Sequence, residues 1–104
     1  MGKLLAQVVR RTLNRFNLDI VRRRLPPDLS EDDIQTLNLV RGYSGTPPER
    51  LMALCEAVRY IAESRIPGDI VECGVWRGGS MMAAALTLRA AGDTERHLHL
   101  FDTF

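Results

Sequence analysis

The sequence predicts an α/β fold in which N-terminal helices lead into the first βαβ unit of a doubly wound parallel sheet. Three observations carry this. Residues 69–73 and 97–102 are short runs with strand character, each bounded by glycine or turn residues. Between them, Ser80 to Ala91 is rich in alanine, methionine and leucine, the composition of a helix pressed into a core. Upstream, apolar residues recur at three- and four-residue spacing, the period of helices. With 45% hydrophobic and 26% charged residues in 104, the chain has the balance of one small globular unit.

Each element has its own signal. Over residues 3–23, Leu5, Val9, Leu13, Phe16 and Ile20 form an apolar stripe with arginines on most other faces. The reading favoured is a helix packed on its own domain or on a second subunit, its arginines in water. The alternative is contact with an anionic membrane surface or another partner. Pro26-Pro27 breaks the helix. Ser30, followed by Glu31-Asp32-Asp33, caps a second helix that runs to about Val40. After the loop Gly42–Gly45, Thr46-Pro47-Pro48-Glu49 predicts a capping box with Thr46 as N-cap. The third helix then runs to about Ser64, burying Leu51, Leu54, Cys55, Val58, Ile61 and Ala62. Residues 1–45 are thus read as an N-terminal helical region, and 46–104 as the start of the main domain.

Ile66-Pro67-Gly68 ends that helix, and Asp69–Cys73 reads as a buried strand. A tight loop, Gly74–Gly79, leads to the Ser80–Ala91 helix, closed by Gly92 as its C-cap. The second strand, His97–Asp102, follows, and such a unit has parallel strands with a right-handed connection. A parallel sheet needs covered faces and more than two strands. A chain stopping at Phe104 is therefore expected to be an incomplete, truncated fold.

Charge and cysteine content narrow the function classes. The net charge is +1, but residues 1–24 hold Lys3, Arg10, Arg11, Arg15, Arg22, Arg23 and Arg24 against the single acid Asp19. A nucleic-acid-binding domain carries its basic charge across the folded part, so no nucleic-acid partner is expected. Cys55 and Cys73 have no metal-ligand spacing and read as two buried, reduced thiols. No secretory signal or membrane span is visible, and Ala6 stands where a myristoylation motif needs Ser or Thr. The expected location is cytoplasmic.

The chemistry lies in Val71-Glu72-Cys73-Gly74-Val75-Trp76-Arg77-Gly78-Gly79-Ser80. An acid near the end of a strand, a sharp glycine turn and a helix start present free N–H groups to a nucleotide-like ligand. Gly78 is expected to tolerate no β-carbon because the helix start approaches the ligand, with Gly79 adding freedom. Asp102 ends the next strand, where a carboxylate can accept ribose hydroxyls. A nicotinamide fingerprint would need Gly-x-Gly-x-x-Gly. Here the spacing is Gly74-x-x-x-Gly78. The negative charge of Glu72 repels a pyrophosphate but suits S-adenosylmethionine, with its sulfonium and ammonium.

Residues 66–80 and Leu100-Phe101-Asp102-Thr103-Phe104 resemble the macrocin O-methyltransferase family, the TylF/MycF/NovP-like class I methyltransferases that act on sugar hydroxyls. The Thr46–Leu51 helix start is also similar, so the resemblance covers roughly residues 40–104. It implies a Rossmann-like sheet and S-adenosyl-L-methionine as cofactor. It also implies that Glu72, Gly74, Trp76, Arg77, Gly78, Gly79 and Ser80 line the methionine side, and that Asp102 holds the ribose with Thr103 and Phe104 beside it. The family's Mg2+ is implied too, with ligands and general base outside this chain, so no catalytic or metal residue is assigned.

Some residues keep two readings. Trp76 is either a stacking residue or a plug between helices. Arg77 pairs with the cofactor carboxylate or Glu72, or faces solvent. Tyr43 is a loop-packing residue or a lid, and His97 and His99 are structural. The expected function is methyl transfer to a hydroxyl of a sugar or other small-molecule acceptor, with a homo-oligomer open. The alternatives are a non-catalytic nucleotide-binding or scaffold domain and an NAD-dependent enzyme.

Overall fold

A computed structural model describes residues 2–16, 18 and 25–103. Among them run four helices, α1 (Gly2–Arg15), α2 (Glu31–Val40), α3 (Pro48–Glu63) and α4 (Gly79–Ala90), and two strands, β1 (Ile70–Cys73) and β2 (Leu98–Phe101). The strands pair in parallel, Ile70 opposite Leu98 and Cys73 opposite Phe101. A parallel pair needs a crossover of about a dozen residues or more, and α4 supplies it.

The start of α2 follows the sequence. Ser30 Oγ accepts the Asp33 N–H at 3.2 Å and donates to the Asp33 carboxylate at 2.7 Å, so cap and third helical residue satisfy each other. The start of α3 corrects the expectation: Pro47, not Thr46, is the N-cap, and no side chain caps the helix. Proline disfavours helical geometry in the residue before it. Pro48 therefore holds Pro47 extended at ψ 150°, and Thr46 sits one residue too early. The Thr46 N–H turns instead to Ser44 Oγ at 3.1 Å. At the end of α4 the cap is Ala91, and Gly92 takes the left-handed position one residue further, φ +77°.

The core lies between α2, α3 and α4. Leu37, Val40, Leu51, Cys55 and Ala83 form one buried cluster; Val58, Met81, Ala84 and Leu88 form a second, against which Ile70 and Leu98 pack. Ala83 and Ala84 are fully buried and let α4 approach both neighbouring helices. Of the expected α3 stripe, Leu51, Cys55 and Val58 are buried, while Leu54, Ile61 and Ala62 are half-buried. Arg59 reaches from α3 to Asp33 at 2.7 Å and ties α3 to α2.

Two burial expectations are corrected. β1 is not buried on both faces: Ile70 turns toward the helices, and Val71 on the other face is 57% exposed. Cys73 shares the face of Val71 and is exposed, whereas Cys55 is buried. Period-two alternation puts neighbouring residues on opposite faces, and helices cover one of them here.

The first helix also differs. α1 ends at Arg15, and Ile20, on the far end of the expected stripe, lies outside the described residues. No described residue of α1 is buried, and among the described residues α1 makes no extended contact with another element. No described helix is long and apolar enough to cross a membrane.

Candidate functional site

The parallel strands aim their C-terminal ends at the Gly74–Gly78 loop, and Gly74 continues the ladder by donating its N–H to Phe101 O at 2.8 Å. Left-handed backbone then turns the chain at Gly74 (φ +82°), Trp76 (φ +50°) and Gly78 (φ +84°). A non-glycine residue in that region is uncommon, so Trp76 is held there by its surroundings. Asp102 does much of the holding: its Oδ2 accepts the N–H groups of Val75 at 2.8 Å and Trp76 at 3.0 Å. Its Oδ1 accepts the Thr103 N–H at 2.7 Å. These three bonds keep the Asp102 carboxyl below the usual carboxylate range. The Thr103 hydroxyl also reaches Oδ1, at 3.5 Å, and a carboxylate offers about four lone-pair sites, so a ligand at Asp102 would displace this long contact.

The two adjacent glycines have exchanged roles relative to expectation. A β-carbon on Gly78 would meet nothing closer than Val75 Cγ1 at 4.0 Å; the constraint there is its left-handed φ. A β-carbon on Gly79 would lie 2.5 Å from both the Tyr43 carbonyl oxygen and Ser44 Cβ. Gly79 therefore supplies close approach rather than freedom. Its N–H donates to Tyr43 O at 2.9 Å and docks the α2–α3 loop against the start of α4.

That docking creates a cleft of about 250 Å³ whose walls come from both segments. Tyr43, Ser44, Gly45 and Thr46 line one side; Glu72, Gly74, Val75, Trp76, Gly79 and Ser80 line the other. Glu72 is its most informative group. Oε2 of Glu72 is buried and has no hydrogen-bond partner. Burial, then the charge of Asp102, pushes the Glu72 carboxyl above its ordinary pKa. An unsatisfied buried carboxylate oxygen is costly and calls for a cation or an N–H donor. The two acids are thus split by environment, Asp102 saturated with donors and Glu72 short of them.

Of the residues singled out from sequence, the structure brings Glu72, Gly74, Trp76, Gly79 and Ser80 into one cleft. Gly78 and Asp102 frame it, and Thr103 lies beside Asp102. Arg77 does not pair with Glu72; its guanidinium stacks on the Trp76 ring, 4.9 Å from the centroid. Trp76 is 64% exposed, so it is not a plug between helices. Phe104 lies outside the described residues. His97 and His99 gather on Asp69, through the His97 N–H at 3.1 Å and His99 Nε2 at 2.9 Å. Sequence reading missed Ser44, Gly45, Thr46 and Val75 as cleft residues. The available signal was the second glycine of Gly78-Gly79, which asks what approaches it.

S-adenosylmethionine fits this arrangement, because the partnerless Glu72 oxygen suits its positive groups. Magnesium is not matched: among the described residues no group of three or more His, Cys, Asp or Glu side chains is placed to hold a metal.

Comparison with known proteins agrees with the sequence resemblance. The model of the macrocin-O-methyltransferase (TylF) family matches residues 29–104. A 56-residue stretch, 54% of the chain, is 45% identical to 8-demethyl-8-(2,3-dimethoxy-alpha-L-rhamnosyl)-tetracenomycin-C 4'-O-methyltransferase of Streptomyces olivaceus, covering 22% of that protein. Over 56 residues it is 36% identical to demethyldecarbamoylnovobiocin O-methyltransferase of Streptomyces niveus, covering 21% of it. The matched stretch thus spans about a fifth of each relative. No solved structure matches.

Proposed function

Because the chain belongs to the macrocin-O-methyltransferase (TylF) family, we propose that it forms the cofactor-binding half of an S-adenosylmethionine-dependent O-methyltransferase with a Rossmann-like sheet. The acceptor is a hydroxyl of a sugar or another small molecule, as the names of the two relatives suggest. The observation that carries this reading is the buried, partnerless Glu72 Oε2 in the cleft beside the glycine loop.

When bound, S-adenosylmethionine supplies an electrophilic methyl group on a sulfonium. The chain's own residues bind and orient. Glu72 Oε2 accepts a hydrogen bond from the ammonium and places negative charge beside the cleft. Asp102 accepts one ribose hydroxyl at Oδ1 in place of the long Thr103 hydroxyl contact, while Oδ2 keeps the Val75 and Trp76 N–H groups in place. Trp76, with Arg77 stacked on it, forms an exposed wall. Holding two reactants in register is itself a large part of catalysis in such displacements. An NAD-type pyrophosphate is disfavoured, since Glu72 would repel it.

Calorimetric titration tests the reading. The protein should bind S-adenosylmethionine in preference to NAD+, and Glu72→Gln should weaken that binding by about 1.5–3 kcal/mol, the scale of a hydrogen bond to a charged group. Tighter binding of NAD+, or unchanged affinity in both Glu72→Gln and Asp102→Ala, would overturn the site.

A further inference from the structure

The α2–α3 loop has two sides, and the cofactor cleft uses only one of them. Ser44 and Thr46 line the cleft and also line a second pocket, of about 190 Å³, set between α2, the loop and the start of α3. The two hollows share a wall one loop thick. Leu37 and Leu51, both buried, form the floor of the second pocket, and Leu25 and Pro48 add apolar sides. Its size suits a single ring, since an apolar cavity of roughly 150 Å³ admits benzene.

The rim has a different character. Asn38 and Arg41 stand there, three residues apart at the end of α2 and so on one face of it. No acid lines the pocket. Among the described residues neither side chain has a hydrogen-bond or ion-pair partner. Other arginines are engaged: Arg59 holds Asp33, Arg96 holds Asp93, and Arg77 stacks on Trp76. Residues 25–104 hold twelve acids against seven bases, so no general field draws anions to this part of the chain. The positive charge at the pocket is local and belongs to Arg41.

We propose that Arg41 determines acceptor specificity: the second pocket takes a ring of a glycoside's aglycone that bears an anionic group, a carboxylate or an ionised phenol or enol. The sugar of that acceptor then reaches over Ser44 and Thr46 into the cleft, where the methyl donor lies. A guanidinium stays charged and presents a planar fork of donors that matches a carboxylate. A neutral ring gains only the apolar floor, and a cationic ring is repelled at the rim. The identity of the ligand as the methyl acceptor rests on the proposed function; the preference for an anionic ring rests on the pocket alone.

Methyl and amide NMR on the full chain, titrated with benzoate and with its neutral twin benzamide, tests this without any cofactor. Failure here is therefore distinct from failure of the cofactor titration. Benzoate should shift the Leu25, Leu37 and Leu51 methyls, leave Leu88 of the second core cluster unmoved, and bind about tenfold more tightly than benzamide. Arg41→Gln should bring benzoate down to the level of benzamide and leave benzamide unchanged, which a merely structural arginine would not do. Circular dichroism and melting matching the parent chain establish that the variant folds. 4-Carboxyphenyl α-L-rhamnoside should bind more tightly than benzoate and shift the Tyr43 and Ser80 amides as well, because its sugar enters the cleft. Binding of neither probe, equal binding of both, or a preference that survives in Arg41→Gln overturns the proposal. A rhamnoside that binds no more tightly than benzoate and is silent at Tyr43 and Ser80 overturns the acceptor assignment in favour of a free small carboxylate.

Discussion

Gly78 and Gly79 are neighbours without β-carbons, and the reasons are unrelated. Gly78 is left-handed and has open space around it. Gly78→Ala should therefore cost only the left-handed penalty, about 1–2 kcal/mol. Gly79 faces the Tyr43 carbonyl at a distance no β-carbon can occupy. Gly79→Ala should push the Tyr43–Thr46 loop off α4, costing about 1–3 kcal/mol from overpacking and more where the Tyr43 hydrogen bond also breaks. Urea unfolding of the two variants compares them directly, with Gly79→Ala the less stable. Glu72 gives a second residue-level expectation. Its carboxyl is raised by burial and by Asp102. A bound cation favours the charged form and pulls that pKa down, so affinity for the cofactor is full above the raised value. It should fall as pH drops through that value, beginning above the ordinary carboxylate range. Titrations across acidic pH should show this slope, and Glu72→Gln should flatten it.

At the scale of elements, the α2–α3 tie depends on one carboxylate. Burial alone would raise the Asp33 pKa, but hydrogen bonds from Ser30 and Arg59 together bring it below the ordinary value. A depressed folded-state pKa contributes stability above the unfolded value, and that stability is lost as pH falls through the folded one. Arg59→Ala should remove much of this acid sensitivity. It should also destabilise by about 1 kcal/mol, the low end for an unpaired buried acceptor, since the Arg59 side chain is 37% exposed. Thermal melts at neutral and acid pH check both parts. The glycine loop rests on Asp102 in a comparable way. In Asp102→Ala the Val75 and Trp76 N–H groups lose their shared acceptor. Hydrogen exchange at those two amides should accelerate while Met81 and Leu88 keep their protection.

Across the whole molecule, the packing depends on two alanines. Ala83 belongs to the cluster with Leu37, Val40, Leu51 and Cys55, and Ala84 to the cluster with Val58, Met81 and Leu88. Each is fully buried, so neither has room for a larger side chain. Ala83→Leu should separate α4 from α2 and α3 at a cost of about 1–3 kcal/mol, the usual penalty of overpacking. Because Gly79 lies at the start of the same helix, the separation should also open the cleft. Unfolding and cofactor titration of that variant should both report the loss.

Much of this was legible in the residues themselves. Ser30 followed by three acids marks the start of α2, and the β-rich runs around Ile70 and Leu98 mark a parallel pair joined by a helix. These are local signals: hydrogen-bond caps, steric turns and side-chain period act over a few residues. The double proline at Pro47-Pro48 misleads, because the second ring forbids helix at the first, and that outweighs a threonine in cap position. The alternation of β1 fixes that Val71 and Cys73 share a face, but not whether anything covers it. The tertiary structure alone decided that Tyr43 meets Gly79 across 36 positions, that Asp102 clamps the loop after Glu72, and that Glu72 is left without a donor. Contacts between distant segments arise when helices settle against one another in three dimensions, and no window along the chain contains both partners.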